Sequence, residues 1–198
     1  MPDVSSHLLA KLPCYQPILQ TTADRQQASV SLILRRSKSV SANKTPSWPA
    51  HLDLLLMQRS YRQDDPWSGQ IAFPGGRREL SDHSARVAAV RETAEEMGVC
   101  LQAQDYLGQL DDVLAPVISH VKNIHVSSFV FYLPDDPVVE FNYEVEQAIW
   151  VNLAALLDST RQVTFAHPQQ ASFVMTGIRL DACSPCLLYT SPSPRDRG

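Results

Sequence analysis

The sequence predicts an α+β domain in which a framework of short strands carries one well-defined helix near its middle. Segments rich in valine, isoleucine, leucine and phenylalanine recur along most of the 198 residues, as is typical of strands. Between them lies a single long stretch with helical spacing and recognisable ends. A chain of this length buries enough surface for one domain with its own core, and we expect one domain.

The predicted strands begin with an alternating segment at residues 28–34 and a nearly continuous apolar run, LDLLLM, at residues 52–57. Further strands are predicted at residues 70–73, 106–113, 126–133, 146–151, 163–165 and 172–175. Pro74, Gly75 and Gly76 are predicted to turn the chain, because glycine accepts backbone angles that other residues avoid.

The main helix is predicted to span residues 84–97, and a short second helix residues 153–157. Ser81 or Asp82 can cap the amino-terminal end of the main helix, since both side chains accept hydrogen bonds from free backbone N–H groups. Gly98 is expected to end it, because glycine readily adopts the left-handed conformation found after helices.

The main helix carries two chemically different faces. An apolar stripe is predicted for its sheet-facing side, formed by Val87, Val90, Ala94 and Met97. At about 100° per residue, Glu92, Glu95 and Glu96 point together, away from that stripe. Like charges at these spacings repel by roughly 0.2–0.5 kcal/mol per pair, and the carboxyl-terminal end of the helix dipole also disfavours them. A bound divalent cation would reverse both effects; the alternative is a solvated acidic face.

A sequence motif favours the cation. Gly76 is followed, after residues 77–90, by Arg91-Glu92-Thr93-Ala94-Glu95-Glu96-Met97-Gly98-Val99. This pattern resembles the Nudix box, which ends in Arg-Glu-U-x-Glu-Glu-x-Gly-U, where U is bulky and aliphatic. Thr93 departs from the aliphatic position, and the stretch from Gly76 to Arg91 is one residue longer than the consensus. The first acid is therefore Asp82 when counted from the glycine, and its place falls on His83 when counted back from the arginine.

The segments at residues 55–60 and 68–76 are similar to those that precede the box in the coenzyme A pyrophosphatase branch of that family. The one additional residue between Gly76 and Arg91, together with the aspartate Asp82, is also similar to that branch. Trp67 stands where the branch usually has a histidine, and this substitution puts coenzyme A itself in doubt. The resemblance covers residues 28–157 and is more specific for fold and metal chemistry than for substrate.

The resemblance implies a Nudix fold, an α/β/α sandwich with a mixed central sheet, and a metal-dependent diphosphatase that uses Mg²⁺ or Mn²⁺. Implied metal ligands are Glu92, Glu95, Glu96 and the carbonyl of Gly76. Implied catalytic residues are Glu96, Glu95 and Arg91, the arginine orienting a carboxylate of the box. Implied substrate contacts are Arg59, Gly75 and Gly76. The general base is left open between Glu96 and a carboxylate from a distant loop, Glu144 or Glu146.

Three functions stay open at this point. The first is hydrolysis of a phosphoanhydride in a nucleotide-linked small molecule, with coenzyme A or its derivatives favoured. The second keeps the chemistry and changes the substrate to ADP-ribose, dinucleoside polyphosphates or nucleoside triphosphates. The third is a binding module without catalysis, which the presence of all three box glutamates disfavours.

Composition limits the partners. The formal net charge is -4 and no basic stripe is visible, so nucleic acid is not an expected partner. No apolar run approaches the roughly 20 residues of a membrane span, and residues 1–19 lack the pattern of a secretory signal, so a cytoplasmic location is expected. The expected partner is a small nucleotide diphosphate, and the resemblance leaves a homodimer open.

The carboxyl-terminal tail is expected to have a different origin from the rest of the chain. Residues 186–196 read CLLYTSPSPRD, which matches the translation of a transposase-end sequencing adapter. We expect residues 186–198 to be translated adapter, a Nudix domain at residues 28–185 that is cut short at its carboxyl-terminal end, and an irregular segment at residues 1–27. The C-x-x-C pair Cys183 and Cys186 lacks a second pair or a nearby histidine, so we expect it to bind no metal.

Overall fold

The computed structural model describes residues 10–20, 26–38, 49–63, 68–114, 124–167, 170–180 and 186–190. Eight strands form the larger sheet: β1 (Gln26–Arg36), β2 (Leu52–Arg59), β3 (Ile71–Ala72), β4 (Gly75–Arg77), β5 (Tyr106–Gln109), β6 (Val113–Leu114), β7 (Ile124–Leu133) and β8 (Val145–Asn152). Three strands form a smaller sheet: β9 (Gln162–His167), β10 (Gln170–Leu180) and β11 (Cys186–Thr190). The helices are α1 (Ala85–Met97) and α2 (Leu153–Leu157), and short 3₁₀ turns span Leu12–Cys14, Ala103–Asp105 and Ser159–Arg161.

Strand β1 organises the larger sheet. It runs parallel to β7 over its whole paired length and antiparallel to its two partners on the other side. Its amino-terminal half pairs with β4, where Ser29 lies opposite Gly76, and its carboxyl-terminal half pairs with β2, where Leu34 lies opposite Leu54. The sheet is therefore mixed, as predicted, and the strand that carries the two glycines is inserted beside β1.

Each face of the sheet buries its own apolar core. Because side chains alternate along a strand, Leu54 and Leu56 of β2 point to one face while Leu55 and Met57 point to the other. The first face packs against α2 and the second against α1. Each fully buried side chain of this size stabilises the fold by about 1.5–3 kcal/mol. A sheet with a helix on either face is the predicted α/β/α sandwich, which is confirmed.

Several predicted boundaries differ from those observed. The residues predicted as a turn, Gly75 and Gly76, belong to β4, because the open side of β1 offers them backbone partners. The strand predicted at residues 106–113 is divided into β5 and β6, and β9 and β10 are longer than expected. Strand β11 lies within residues 186–198, whose assignment to an adapter stays a prediction. The short helix α2 is confirmed, and Asn152 caps it by accepting a hydrogen bond from the N–H of Ala154 at 3.1 Å.

Helix α1 begins and ends through local hydrogen bonds. Its amino-terminal cap is Ser84, whose Oγ accepts from the N–H of Val87 at 3.2 Å, so the predicted caps Ser81 and Asp82 are wrong. Gly98 ends the helix as predicted, with a φ of 67° and its N–H donating to Ala94 O at 3.0 Å.

The predicted apolar stripe of α1 is wrong in its orientation. Val87 is 41% exposed, whereas the buried residues of the helix are Ala88, Ala89, Thr93, Glu96 and Met97. The sheet beneath is lined by small side chains, among them the fully buried Ser29 and Ser31. Small groups on both sides let the helix lie close to β1 with its alanine and threonine face. Of the predicted stripe, Met97 is buried and Val90 packs against the core, whereas Val87 is turned to solvent.

Candidate metal centre

Two consecutive glycines form the floor of the site. A Cβ atom at Gly75, whose φ is 150°, would lie 2.2 Å from the carbonyl oxygen of Ser29. A Cβ atom at Gly76 would lie 2.4 Å from the carboxyl carbon of Glu92. The first glycine thus lets β4 approach β1, and the second leaves room for a carboxylate directly against the backbone.

The side chain of Glu96, in the last turn of α1, reaches the same glycine pair. It is only 4% exposed, and its Oε2 accepts a hydrogen bond from the N–H of Gly75 at 2.8 Å. Burial is the main reason that the pKa of Glu96 is raised to about 7, and the charge of Glu92 also raises it. The hydrogen bond from Gly75 and the charge of Arg59 act in the opposite direction. A buried carboxyl group with a raised pKa is a candidate functional group.

Glu92 lies one turn earlier and is partly buried. Burial raises its pKa, and the neighbouring guanidinium of Arg91 opposes this rise. Arg91 Nη2 lies 3.1 Å from Glu92 Oε1. Since Glu92 covers Gly76 and Glu96 binds the N–H of Gly75, these two box carboxylates border the same glycine pair.

Arg91 connects the helix to the loop that precedes it. Its Nε and Nη2 donate to the two carboxylate oxygens of Asp82 at 3.2 and 3.0 Å, and Nη2 also donates to the carbonyl of Arg77 at 3.2 Å. Asp82 is buried, and the guanidinium of Arg91 holds the pKa of this carboxyl below its usual range. The structure therefore decides the ambiguity in the box spacing: Asp82 pairs with the arginine, while His83 is exposed.

Glu95 does not join the other two carboxylates. Its side chain is 56% exposed, and Oε2 accepts from Arg91 Nη1 at 3.0 Å in an i,i+4 ion pair. Within the described ranges, no three histidine, cysteine, aspartate or glutamate side chains are placed to hold one metal ion. The expectation that all three glutamates converge opposite an apolar stripe is therefore wrong for this structure. The helix rotation buries Glu96, and the ion pair with Arg91 holds Glu95 outside.

The remaining donors still suit a small hard cation. Mg²⁺ is commonly held by one or two carboxylates, with waters and substrate phosphate oxygens completing its octahedron. Glu92 and Glu96 offer carboxylate oxygens beside the backbone of the glycine pair, Glu92 against Gly76, where the missing Cβ leaves room for it, and Glu96 against the N–H of Gly75. All of these groups are hard oxygen donors, which favour Mg²⁺ or Mn²⁺ over softer metals.

The ends of two strands border the site on a second side. Arg59 is the last residue of β2 and lies opposite Val145 of β8. Ser60 N–H donates to the carbonyl of Glu144 at 2.8 Å, which ties the two segments together. The charges of Arg59 and Glu144 both act on the pKa of Glu96, so both predicted residues lie near the centre. The other predicted base, Glu146, is exposed.

The contacts of Thr93 explain why a polar residue can stand where the Nudix box has an aliphatic one. Its hydroxyl donates to the carbonyl of Ala89 and also lies 2.8 Å from the hydroxyl of Ser31 on β1. The hydroxyl of Ser31 in turn donates to Ala89 O at 3.2 Å. A polar residue is tolerated at this fully buried position because β1 supplies a polar partner.

Two residues near the site carry no motif signal, namely Arg62 and Tyr143. Arg62 Nη2 lies 3.3 Å from Glu144 Oε1, and its guanidinium carbon lies 4.8 Å from the centre of the Tyr143 ring. They are 81 positions apart in the chain, so local sequence patterns do not reveal the pair. Trp67, at the departure from the coenzyme A branch, lies outside the described residues.

Other sequence expectations concern residues away from the centre. Cys14 and Cys100 are exposed free thiols, whereas Cys183 lies outside the described residues. No helix within the described part of the chain is long and apolar enough to cross a membrane.

Comparisons with known proteins agree with the box motif. A model of the Nudix domain matches residues 24–174. An uncharacterized protein of Schizosaccharomyces pombe is 35% identical over 175 residues, which cover 78% of this chain and 53% of that protein. NudL of Citrobacter koseri, an uncharacterized Nudix hydrolase, is 32% identical over 114 residues, which cover 57% of this chain and 50% of the relative. The chain spans about half the length of these curated relatives.

Solved structures resemble the fold. A MutT/nudix family protein from Enterococcus faecalis has a TM-score of 0.54 at 18% identity, and the match covers 96% of this chain and 63% of that chain. The Nudix domain of Shewanella oneidensis NrtR, solved in complex with ADP ribose, has a TM-score of 0.50 at 18% identity. That match covers 78% of this chain and 87% of that chain. At these identities the likeness concerns the fold.

Proposed function

The chain belongs to the Nudix family, and from that premise we propose that it is a metal-dependent diphosphatase that cleaves a phosphoanhydride in a nucleotide-linked small molecule. The observation that carries this proposal is the pair of carboxylates, Glu92 and Glu96, held against Gly75 and Gly76, the second of which begins the box. Both have raised pKa values because they are buried, and a cation bound between them would favour their ionised forms.

Each residue of the centre has a defined task in this proposal. Glu92, Glu96 and the carbonyl of Gly76 would hold Mg²⁺ or Mn²⁺, and Glu95 would join them on leaving its ion pair with Arg91. Such an ion, when bound, neutralises charge on phosphate oxygens and lowers the pKa of water. Asp82 anchors Arg91 through two hydrogen bonds, so the arginine positions the glutamates beside it.

The substrate diphosphate would be bound on the side of the site that is formed by the ends of β2 and β8. Arg59, at the end of β2, is close enough to lower the pKa of Glu96, and its guanidinium can bind a phosphate oxygen beside the ion. The N–H of Gly75 already donates to Glu96 and keeps the carboxylate directed towards the glycines. The proton of the attacking water would pass to Glu96 or to Glu144, the two candidate bases whose charges interact.

Coenzyme A or one of its derivatives is the favoured substrate, because residues 55–60 and 68–76 resemble the coenzyme A pyrophosphatase branch. A second candidate is a pyrophosphatase for ADP-ribose, dinucleoside polyphosphates or nucleoside triphosphates. The observation that favours it is Trp67, which replaces the usual histidine of that branch. Equal turnover of coenzyme A by the wild type and a Trp67→His variant, both far below turnover of another diphosphate, would assign the chain to this second group.

The direct test is hydrolysis of a panel of nucleotide diphosphates with Mg²⁺ or Mn²⁺. We expect Glu96→Gln to lower kcat by about 100-fold or more, because it removes both a metal ligand and a candidate base. The matched control is Glu140→Gln, an exposed glutamate whose contact with α1 is made by its backbone N–H to Met97 O at 3.0 Å. Equal rates for Glu96→Gln and the wild type would refute the proposal, as would a wild type that hydrolyses nothing with either metal.

A further inference from the structure

A tyrosine and an arginine form a stacked pair beside the metal centre. The guanidinium carbon of Arg62 lies 4.8 Å from the centre of the Tyr143 ring, within the distance of a cation–π contact. Tyr143 nevertheless remains 77% exposed. An aromatic ring whose orientation is set by a cation, and most of whose surface is open to solvent, is suited to receive a second flat ring.

The pair is held in place by hydrogen bonds from both of its loops. Arg62 N–H donates to Ser68 Oγ at 2.8 Å, and the Ser68 hydroxyl donates back to Arg62 O at 2.5 Å. On the other loop, Glu144 N–H donates to Asn142 Oδ1 at 2.8 Å, and the side chain of Glu144 binds Arg62. These bonds fix the backbone on either side of the pair, and the guanidinium over one face of the Tyr143 ring restricts its rotation, which lowers the entropic cost of stacking on the other face.

The same loop is bonded to the helix that carries the metal ligands. Asn142 N–H donates to the carbonyl of Glu96 at 3.0 Å, and Glu144 acts on the pKa of the Glu96 carboxyl. Tyr143 lies between these two residues in the chain. In a nucleotide only a ribose separates the base from its phosphates, so the loop that carries Tyr143 is near enough to Glu96 to meet the base of a diphosphate bound there.

We propose that Tyr143, oriented by Arg62, is the platform on which the base of the nucleotide substrate stacks, and that it makes the enzyme prefer base-bearing over base-free diphosphates. This inference rests on the proposed function and specifies the substrate side of that site. Every nucleobase has a flat π face, so the platform selects for the presence of a base more than for its identity. The other exposed tyrosine of this region, Tyr61, is 82% exposed but has no cation stacked on it among the described contacts.

The test compares Tyr143→Ala, Tyr143→Phe and the control Tyr61→Ala with the wild type. Binding is followed with EDTA present by saturation-transfer NMR, using ADP and GDP as base-bearing probes and ribose 5-phosphate as the base-free probe. Losing one base–aromatic stack weakens binding by about 5-fold to about 150-fold. We expect Tyr143→Ala to raise the Kd of ADP and GDP by this amount and to leave ribose 5-phosphate unchanged. Tyr143→Phe and Tyr61→Ala should bind like the wild type.

The second readout is KM, for the base-bearing diphosphate that the wild type hydrolyses and for 5-phosphoribosyl 1-diphosphate. Tyr143→Ala should raise KM for the first and not for the second, with an unchanged Tm because the ring is exposed. The inference is overturned if Tyr143→Ala binds both nucleotides as the wild type does, if all probes weaken equally, or if the wild type transfers no saturation to either base. Absence of metal-dependent hydrolysis, with Tyr143-dependent nucleotide binding intact, would instead defeat the proposed function alone.

Discussion

Replacing the buried Glu96, a proposed metal ligand, by glutamine should make the metal-free protein more stable at alkaline pH. In the folded protein, burial raises the pKa of Glu96 from 4.5 to about 7. A carboxyl whose folded pKa lies above its unfolded pKa opposes folding once it is ionised. The ionisation of Glu96 therefore costs the folded protein nothing below about pH 4.5. Above that pH the free energy of unfolding falls, and it continues to fall as the pH rises through about 7. Glutamine has no charge to bury and keeps an oxygen that can accept the N–H of Gly75.

The size of the effect follows from the two pKa values. One pKa unit corresponds to about 1.4 kcal/mol, so the shift of Glu96 amounts to about 3 kcal/mol when the group is ionised in both states. At pH 8.5 nearly all of this penalty is present, whereas at pH 5 about 1 kcal/mol remains because the folded carboxyl is protonated. The gain of Glu96→Gln over the wild type should thus grow by about 2 kcal/mol between these pH values.

Urea unfolding of both proteins at pH 5 and pH 8.5, with EDTA present, measures this difference as free energies of unfolding. The control is Glu95→Gln, whose exposed ion pair with Arg91 should contribute less than about 1 kcal/mol at either pH. With Mg²⁺ in excess, only the wild type should gain stability, since a bound ion stabilises the folded state by mass action. A Glu96→Gln protein that is less stable than the wild type at pH 8.5 in EDTA would show that this reasoning is wrong.

The other predictions concern the two glycines, Gly75 and Gly76, and the buried ion pair of Arg91. Gly76→Ala should weaken Mn²⁺ binding at least about 10-fold by calorimetry with little change in Tm, because its Cβ displaces only the flexible end of Glu92. Gly75→Ala should lower Tm, because its Cβ meets a backbone oxygen at 2.2 Å, and an unchanged Tm would contradict the observed β4 pairing. Arg91→Ala should cost about 3 kcal/mol in urea unfolding at pH 7, because it leaves Asp82 buried without its cation. Because Arg91 lowers the pKa of Asp82, that contribution is present above about pH 4 and is lost as the pH falls through the folded pKa; a loss that stayed constant down to pH 2 would contradict this.

Properties that depend on neighbouring residues were predictable from the sequence. The helix ends where Gly98 follows it, because a left-handed cap is a local matter of backbone conformation. The buried strand β2, predicted from its nearly continuous apolar run, and the short helix α2 are likewise local features. The identity of the box residues, and with it the family, is likewise contained in the order of residues along one segment.

Contacts between distant segments were decided by the tertiary structure. Two valines, one alanine and one methionine predicted one buried face of α1, but small serines on β1 favoured a rotated one, and this rotation buries Glu96. The choice between Asp82 and His83 depended on which side chain reaches Arg91 across the loop.

The order of residues in the chain determined which groups can bind a metal ion and where the helix that carries them begins and ends. The tertiary structure decided that Glu92 and Glu96 meet the glycines while Glu95 pairs with Arg91, and that Arg62 reaches Tyr143. The physical reason is range: capping and periodicity act within a few residues. Burial, pKa shifts and ring stacking depend on atoms brought together by the packing of α1 and of loops that are far apart in the chain.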